Sequence, residues 1–182
     1  MDSLDGRILV ASPQLLDPNF VHTVVLLIEH NDSGALGLVL NRPTSKTVAE
    51  LWQQVGQADC ESRQPVHLGG PVSGPLMALH TTDDLAEMEV VAGVFFAAKK
   101  QNLDELVHQE GPYKVFIGHA GWGPGQLESE IEEGAWRTTS ATLADVFDDA
   151  DDLWQRLLQR ADASSLPAML GIKHVPLDPS LN

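Results

Sequence analysis

Cysteine and positive charge are both scarce in this chain. Cys60 is the single cysteine among 182 residues, which excludes an intramolecular disulfide and a thiolate metal cage. The chain has 11 Lys and Arg residues and 26 Asp and Glu residues, which give a net charge of -15. Nucleic acids and anionic membranes are bound mainly through Lys and Arg. We therefore expect no direct nucleic-acid binding and no membrane partner.

Long hydrophobic runs are also missing. The longest one, from Val90 to Ala98, covers nine residues and contains Gly93, whereas a membrane-spanning helix needs about 20 apolar residues. The N-terminus carries Asp2 and Asp5 where a signal peptide would have a basic start and an apolar run. These absences, together with the lone cysteine, predict a cytoplasmic protein in a reducing compartment.

The remaining composition is that of an ordinary globular protein, with 43% hydrophobic and 20% charged residues. A chain of 182 residues suits one domain with a full hydrophobic core. The sequence shows no internal repeat, no low-complexity tract and no interdomain linker. We expect a single domain over residues 1–182.

Hydrophobic patterns predict more strands than helices. The apolar runs Val21–His30 and Ala35–Leu40 flank the turn residues 31–34 and predict a hairpin of buried strands. Because at least one strand pair forms a hairpin, the sheet should be mixed and the fold class α+β. Further strands are predicted over the following segments: Arg7–Ala11, Val66–Leu68, Leu76–His80, Glu89–Phe96, Lys114–His119 and Arg137–Thr139.

Helices are predicted at four places. Thr47 and Glu50 have the spacing of a capping box, and the apolar residues behind them repeat at helical intervals until Gly56. Asn102 is the predicted cap of a second helix, and Ser140 or Thr142 that of a third. A fourth helix is expected from about Asp151, followed by an irregular tail containing Pro176 and Pro179.

The stretch Ile117–Glu130 is the main site candidate. Positions 118–125 hold four glycines, one proline and Trp122, a density that suits a sharp turn or a close backbone approach. Three interpretations stay open: an anion-binding nest, a structural turn anchored by Trp122, or a surface for a partner or neutral ligand. The lysine of a phosphate-binding loop is absent, and several glutamates follow.

Two further loops at strand ends, Asn41–Arg42 and Gly69–Pro71, are expected to form one binding surface with Gly121–Glu130. Arg42 could clamp a carboxylate or hold Glu128 or Glu130, and we favour the second role. Trp122 and Trp136 are expected to flank the site, whereas Trp52 and Trp154 belong to the core. The predicted binding residues are Asn41, Arg42, Gly69, Gly70, Pro71, Gly121, Trp122, Gly123, Gln126, Glu128 and Glu130.

Three histidines, His30, His67 and His119, lie at predicted strand ends, where converging loops commonly build sites. None has the spacing of a zinc site, so we expect neither a metal nor a cofactor. Glu128 and Glu130 would lie on one face of an extended segment and could act with His30 or His119 in a hydrolase. A solvated surface explains these carboxylates equally well.

Three segments together resemble one family: Asn41-Arg42-Pro43, the stretch from His67 to Val72, and the stretch from Gly121 to Glu130 with Trp136. They are similar to the YqgE/AlgH family of bacterial proteins, over about Gly6 to Trp154. The resemblance implies one α+β domain with a mixed, bifurcated sheet forming a pseudo-barrel and helices packed outside.

The same resemblance implies little about activity, because the family is largely uncharacterised and a transcriptional role is proposed for some members. The sequence has no helix-turn-helix signature, and its acidic balance argues against direct DNA contact. We therefore expect a non-enzymatic regulatory domain that binds a small molecule or a protein partner. The transcriptional regulator and the hydrolase remain alternatives.

Overall fold

The computed structural model describes residues 2–55 and 58–169, with side chains up to residue 164. Gly56, Pro176 and Pro179, to which the sequence assigns a helix end and an irregular tail, lie outside this part. The strands are β1 (Ile8–Ala11), β2 (Val24–Asn31), β3 (Gly34–Val39), β4 (Pro43–Thr47), β5 (Pro65–Leu68), β6 (Met77–His80), β7 (Met88–Val91), β8 (Val94–Ala97), β9 (Tyr113–Ile117), β10 (Ala120–Trp122) and β11 (Trp136–Thr139). The α-helices are α1 (Val48–Val55), α2 (Lys100–Leu106), α3 (Gln126–Glu132), α4 (Leu143–Val146) and α5 (Leu153–Met169).

The first sheet has five antiparallel strands in the order β10-β3-β2-β1-β11. Its centre is the predicted hairpin of β2 and β3, which is confirmed. Along β2, Val24, Leu26 and Ile28 enter one hydrophobic cluster, while Val25 and Leu27 enter another on the opposite face. Burial on both faces explains why the run is almost continuously apolar.

The second sheet has six strands in the order β4-β5-β9-β6-β8-β7. Only β5 and β9 pair in parallel among these neighbours, so the sheet is mixed. The segment predicted as a single strand over 89–96 is instead the hairpin of β7 and β8. Gly93, with φ at +81°, lies in the turn, a conformation that glycine adopts without steric cost.

Three hydrophobic clusters hold the elements together. The first lies between the sheets and includes Leu26 and Leu38 from one and Leu79 and Phe116 from the other. The second packs α1 and α2 against the outer face of the six-stranded sheet, and the third packs α3 against the outer face of the five-stranded sheet. The α+β class is confirmed, and the described strands form two sheets and no closed barrel.

Two helix starts show how well local signals predict the chain. Thr47 Oγ1 accepts the backbone N–H of Glu50 at 3.1 Å, as predicted. Thr142 caps α4 through a reciprocal capping box with Asp145. The prediction for Asn102 was wrong, because α2 begins at Lys100 and the Asn102 amide donates to Glu87 at 3.1 Å instead. No helix in residues 2–55 or 58–169 has the length and apolarity needed to cross a bilayer.

Candidate functional site

Gly69, Gly70 and Gly118 let two chain segments cross in close contact. Val72 and His119 exchange both backbone hydrogen bonds, at 2.9 and 3.0 Å, and Gly69 N–H donates to Ile117 at 2.9 Å. A Cβ on Gly70 would overlap the His119 carbonyl, and one on Gly118 would lie 2.5 Å from the Gly70 oxygen. Close backbone approach therefore accounts for Gly118, at the start of the stretch Ile117–Glu130.

The two tryptophans assigned to the site belong to the core instead. Trp122 is 6% exposed and Trp136 is 2% exposed. Their rings meet edge to face at 6.0 Å between centroids, and both contact Phe20. The prediction that Trp122 and Trp136 flank an accessible surface was wrong, because Phe20 closes over them from a loop far away in sequence.

The glutamate-rich end of the stretch is helical. Gly125, with φ at +73°, precedes α3, and Gln126 Oε1 accepts the N–H of Gly123 at 2.9 Å to close the turn. In an α-helix, side chains two positions apart point about 200° apart around the axis. Glu128 and Glu130 therefore do not share a face, contrary to the expectation for an extended segment.

Arg42 has a structural role, but with partners that the sequence did not indicate. Its guanidinium donates to the carbonyl oxygens of Asn19, Pro18 and Val21 at 2.6, 3.1 and 3.1 Å. The prediction that it holds Glu128 or Glu130 was wrong. Burial lowers the pKa of Arg42, and the nearby Asp17 carboxylate acts in the opposite direction.

Asn41 is likewise occupied by the backbone. Its Oδ1 accepts the N–H of Val24 at 2.9 Å, and its Nδ2 donates to the His22 carbonyl at 2.9 Å. The asparagine thereby ties the end of β3 to the start of β2.

Arg42 and the glycine crossing enclose a pocket of about 390 Å³, named here the Arg42 pocket. Leu68, Val72 and Ile117 line it while 41%, 41% and 38% exposed. The other lining residues are Asn19, Val39, Arg42, Gly70, Pro71, Ser73, Gly74 and Gly118.

Two of the three predicted loops therefore converge, namely Arg42 and Gly70–Pro71. The third, Gly121–Glu130, does not line the Arg42 pocket, although Ile117 and Gly118 just before it do. The remaining predicted binding residues do not line it: Asn41, Gly69, Gly121, Trp122, Gly123, Gln126, Glu128 and Glu130.

His30 and Glu128, one pair of the enzymatic alternative, are in contact through Nε2 and Oε1. His30 Nδ1 accepts the backbone N–H of Leu4 at 2.9 Å, so in the neutral ring Nε2 carries the proton and donates it to Glu128. This hydrogen bond lowers the pKa of Glu128. With both nitrogens engaged, the ring has no free lone pair to act as a general base.

The contacts of His30 serve the fold, because they join residues 3–5 to α3. Ser3 donates to the His30 carbonyl at 3.1 Å, and the His30 N–H donates to Asp5. His119 makes no hydrogen bond to Glu128 or Glu130 among the described residues, and its Nδ1 is buried without a partner. The same part of the chain shows no group of three His, Cys, Asp or Glu side chains placed to hold a metal ion.

Comparison with known proteins places this architecture in one family. The family described as AlgH-like matches residues 8–165. The chain belongs to the AlgH-like family. A UPF0301 protein of Chlorobaculum tepidum is 37% identical to it in an alignment of 180 positions that covers 90% of this chain and 94% of the relative. A UPF0301 protein of Myxococcus xanthus is 40% identical in an alignment of 177 positions that covers 93% of this chain and 96% of the relative.

Solved structures extend the likeness of this AlgH-like chain to three dimensions. The solution structure of the AlgH protein from Pseudomonas aeruginosa has a TM-score of 0.73 and 29% identity, covering 97% of this chain and 96% of that one. A crystal structure from Corynebacterium diphtheriae shares the fold at a TM-score of 0.71 and 23% identity, covering 88% and 87%. The family resemblance in the three motifs is thus confirmed.

Sequence reasoning missed one buried charge in this AlgH-like chain, Lys114. It lies in the middle of the apolar strand β9, where its side chain is 4% exposed. A single lysine between Tyr113 and Val115 breaks an otherwise apolar run, and that interruption was the available signal. Lys114 lies behind His67, a histidine that the sequence placed only at a strand end.

Proposed function

We propose that this AlgH-like protein is a non-enzymatic regulatory domain whose Arg42 pocket binds a small organic molecule with an apolar body. The observation that carries the proposal is the exposure of Leu68, Val72 and Ile117 around one concave site. Covering the exposed parts of these three side chains completely would contribute about 5 kcal/mol to binding.

The polar end of the ligand is suggested by Arg42. Three of the five guanidinium N–H donors are held by backbone carbonyls, and the other two have no acceptor among the described residues. Both remaining donors belong to a partly buried cation, for which a hydrogen bond contributes more than for a neutral group. The ligand should therefore carry a carbonyl or carboxylate oxygen.

A small molecule suits the site better than a protein or DNA. The volume of about 390 Å³ falls in the usual range for small-molecule pockets, about 300–1,000 Å³. The net charge of -15 does not support direct contact with DNA. If the protein regulates transcription, the account requires that it act through another protein.

Ligand-observed NMR tests the proposal directly. The probes are apolar fragments bearing a carboxylate or carbonyl, each paired with an analogue that lacks the oxygen. We expect binding of the oxygen-bearing fragments to weaken at least tenfold in Leu68→Ser, since one apolar wall is lost.

Met88→Ser is the matched control, because Met88 is 40% exposed and lies on β7, at the other edge of the same sheet. Fragment binding should be unchanged in this variant. Absence of saturable binding by any fragment, or equal binding by wild type and folded Leu68→Ser, would contradict the proposal. If a protein partner binds at the Arg42 pocket and no small molecule does, the occupant is that protein and the small-molecule proposal is wrong.

A further inference from the structure

A second pocket lies on the other side of the segment that carries Arg42. Asn41, Pro43 and His67 form one wall, and the segment Asp148–Asp151 between α4 and α5 forms the opposite wall. The volume is about 320 Å³. This site is named here the His67 pocket, and it shares no lining residue with the Arg42 pocket.

His67 supplies a buried polar atom without a partner. It lies on β5 directly opposite Phe116 of β9, and it is 3% exposed. The ring lies near the Pro65 carbonyl, yet Nδ1 makes no hydrogen bond to any described residue. An unsatisfied buried polar atom costs about 1–3 kcal/mol, so a ligand that reached it would recover that cost.

Lys114 places a positive charge behind this wall. Its Nζ donates to the Leu40 carbonyl at 3.1 Å and lies 3.5 Å from Asp149 Oδ1. The lysine side chain is 4% exposed, whereas that of Asp149 is 75% exposed. A long contact to a solvated carboxylate is a weak ion pair, so a ligand carboxylate could replace Asp149 there.

The protonation states follow from burial and charge. Burial, and then the positive charge of Lys114, lower the pKa of His67 to about 4, which leaves the ring neutral at neutral pH. Burial also lowers the pKa of Lys114, against the opposing effect of Asp149. The inner end of the pocket is thus lined by a neutral imidazole, and the Lys114 ammonium group lies behind the lining residues, next to Asp149.

The outer end of the pocket has the opposite charge. Asp148, Asp149 and Asp151 line it, and Asp148 is paired with Arg156. These carboxylates would repel a simple anion at the mouth, and Lys114 would repel a simple cation at the base. A ligand that carries both charges avoids both penalties.

We propose that the His67 pocket binds a small zwitterion of the α-amino-acid type. Its carboxylate lies toward His67 and Lys114, and its ammonium group lies toward Asp149 and Asp151. Asp149 then exchanges Lys114 for the ligand ammonium, so each buried or half-buried charge keeps an opposite partner.

NMR of the His67 ring tests this with defined probes. The natural amino acids are titrated one by one, with propionate and ethylamine as the separate halves of alanine. We expect at least one amino acid to shift the His67 signals saturably, with a Kd of about 1 mM or lower. The two halves should bind at least tenfold more weakly. If no amino acid shifts these signals saturably up to its solubility limit, the proposal is wrong.

Variants separate this site from the Arg42 pocket. Lys114→Met should weaken amino-acid binding at least tenfold, whereas Leu68→Ser should leave it unchanged. Should Lys114→Met not fold, Asp149→Asn provides the second test, because it removes one carboxylate from the mouth and frees Lys114. The preference for alanine over propionate should then fall. An unchanged preference in Asp149→Asn, or unchanged binding in folded Lys114→Met, overturns the proposal.

Discussion

The Arg42 pocket and the His67 pocket lie on either side of the same short segment and are built differently. The first is walled by crossing backbone and aliphatic side chains, and three N–H donors of its guanidinium are already bound to carbonyls. The second has an unpartnered imidazole nitrogen and a weakly paired ammonium group. The first should select by shape and apolar contact, the second by charge.

The difference shows why residue type alone does not identify a binding group. Arg42 looks like a ligand contact in the sequence, and most of its donors hold a loop. His30 and His67 are both buried histidines at strand ends, but His30 has both ring nitrogens engaged and His67 does not. The buried ring nitrogen of His67 that lacks a partner, rather than the presence of a charged residue as such, distinguishes the His67 pocket from the Arg42 pocket.

The largest effect is expected where the wall of the Arg42 pocket is backbone. Gly70→Ala should lower the free energy of unfolding by more than about 3 kcal/mol, because its Cβ overlaps the His119 carbonyl and φ is +155°. Gly123→Ala is the control, since its Cβ would meet only Gln126, at 3.8 Å. Equal urea midpoints for the two variants would show that the crossing is not tightly packed.

Burial of His67 should make the free energy of unfolding depend on pH. A folded-state pKa of about 4 against an unfolded value of about 6.5 means that only the unfolded chain binds the proton between these values. The contribution of the neutral His67 ring to the free energy of unfolding is therefore fully present above pH 6.5. It is lost as pH falls toward 4, by up to about 3 kcal/mol. Urea unfolding of wild type and His67→Gln across this range measures the difference. A constant difference would contradict a buried neutral ring.

Removing the guanidinium should have a smaller effect. Arg42→Lys should cost about 2 kcal/mol, because an ammonium group cannot reach three carbonyl oxygens in the planar arrangement of a guanidinium. Arg63→Lys is the matched control, since Arg63 is exposed. Thermal unfolding of both variants checks this, and an equal Tm would mean that the loop at 18–21 is held by other contacts.

The smallest effect has the opposite pH dependence. His108 Nδ1 and Nε2 face the carbonyls of Asp104 and Asp59 at 2.6 and 2.9 Å. Carbonyls only accept hydrogen bonds, so both contacts are hydrogen bonds only when the ring is protonated; the Asp104 carbonyl and then that of Asp59 raise the pKa of His108.

The stabilisation that His108 gives to the folded state is fully present below the pKa of His108 in the unfolded chain. It is lost as pH rises through the raised pKa of His108 in the folded chain. Because His108 is exposed, we expect it to contribute only about 0.3 kcal/mol to the free energy of unfolding. Urea unfolding of His108→Gln beside His67→Gln should show differences of opposite sign with pH. The same sign in both would contradict the two assignments.

Local patterns predicted much of the fold. The apolar runs around residues 31–34 gave the hairpin, and Thr47 gave the start of α1, because these features depend on neighbours in the chain. The candidate site was less predictable, since its contacts are long-range. Arg42 bonds to a carbonyl 23 residues earlier, and Trp122 is covered by Phe20. In α3, Leu127 and Ile131 are four positions apart and pack in the third cluster, but one apolar pair among the four glutamates of 128–133 is a weak helix signal.

The most direct test of the account is protein-observed NMR of the oxygen-bearing apolar fragments, with chemical shifts mapped on the chain. The account predicts saturable changes centred on Leu68, Val72 and Ile117, with the Nε–H signal of Arg42 also shifted and the His67 ring unaffected. Saturable changes that map elsewhere and leave Leu68, Val72 and Ile117 unmoved would contradict the assignment of the Arg42 pocket as the binding site.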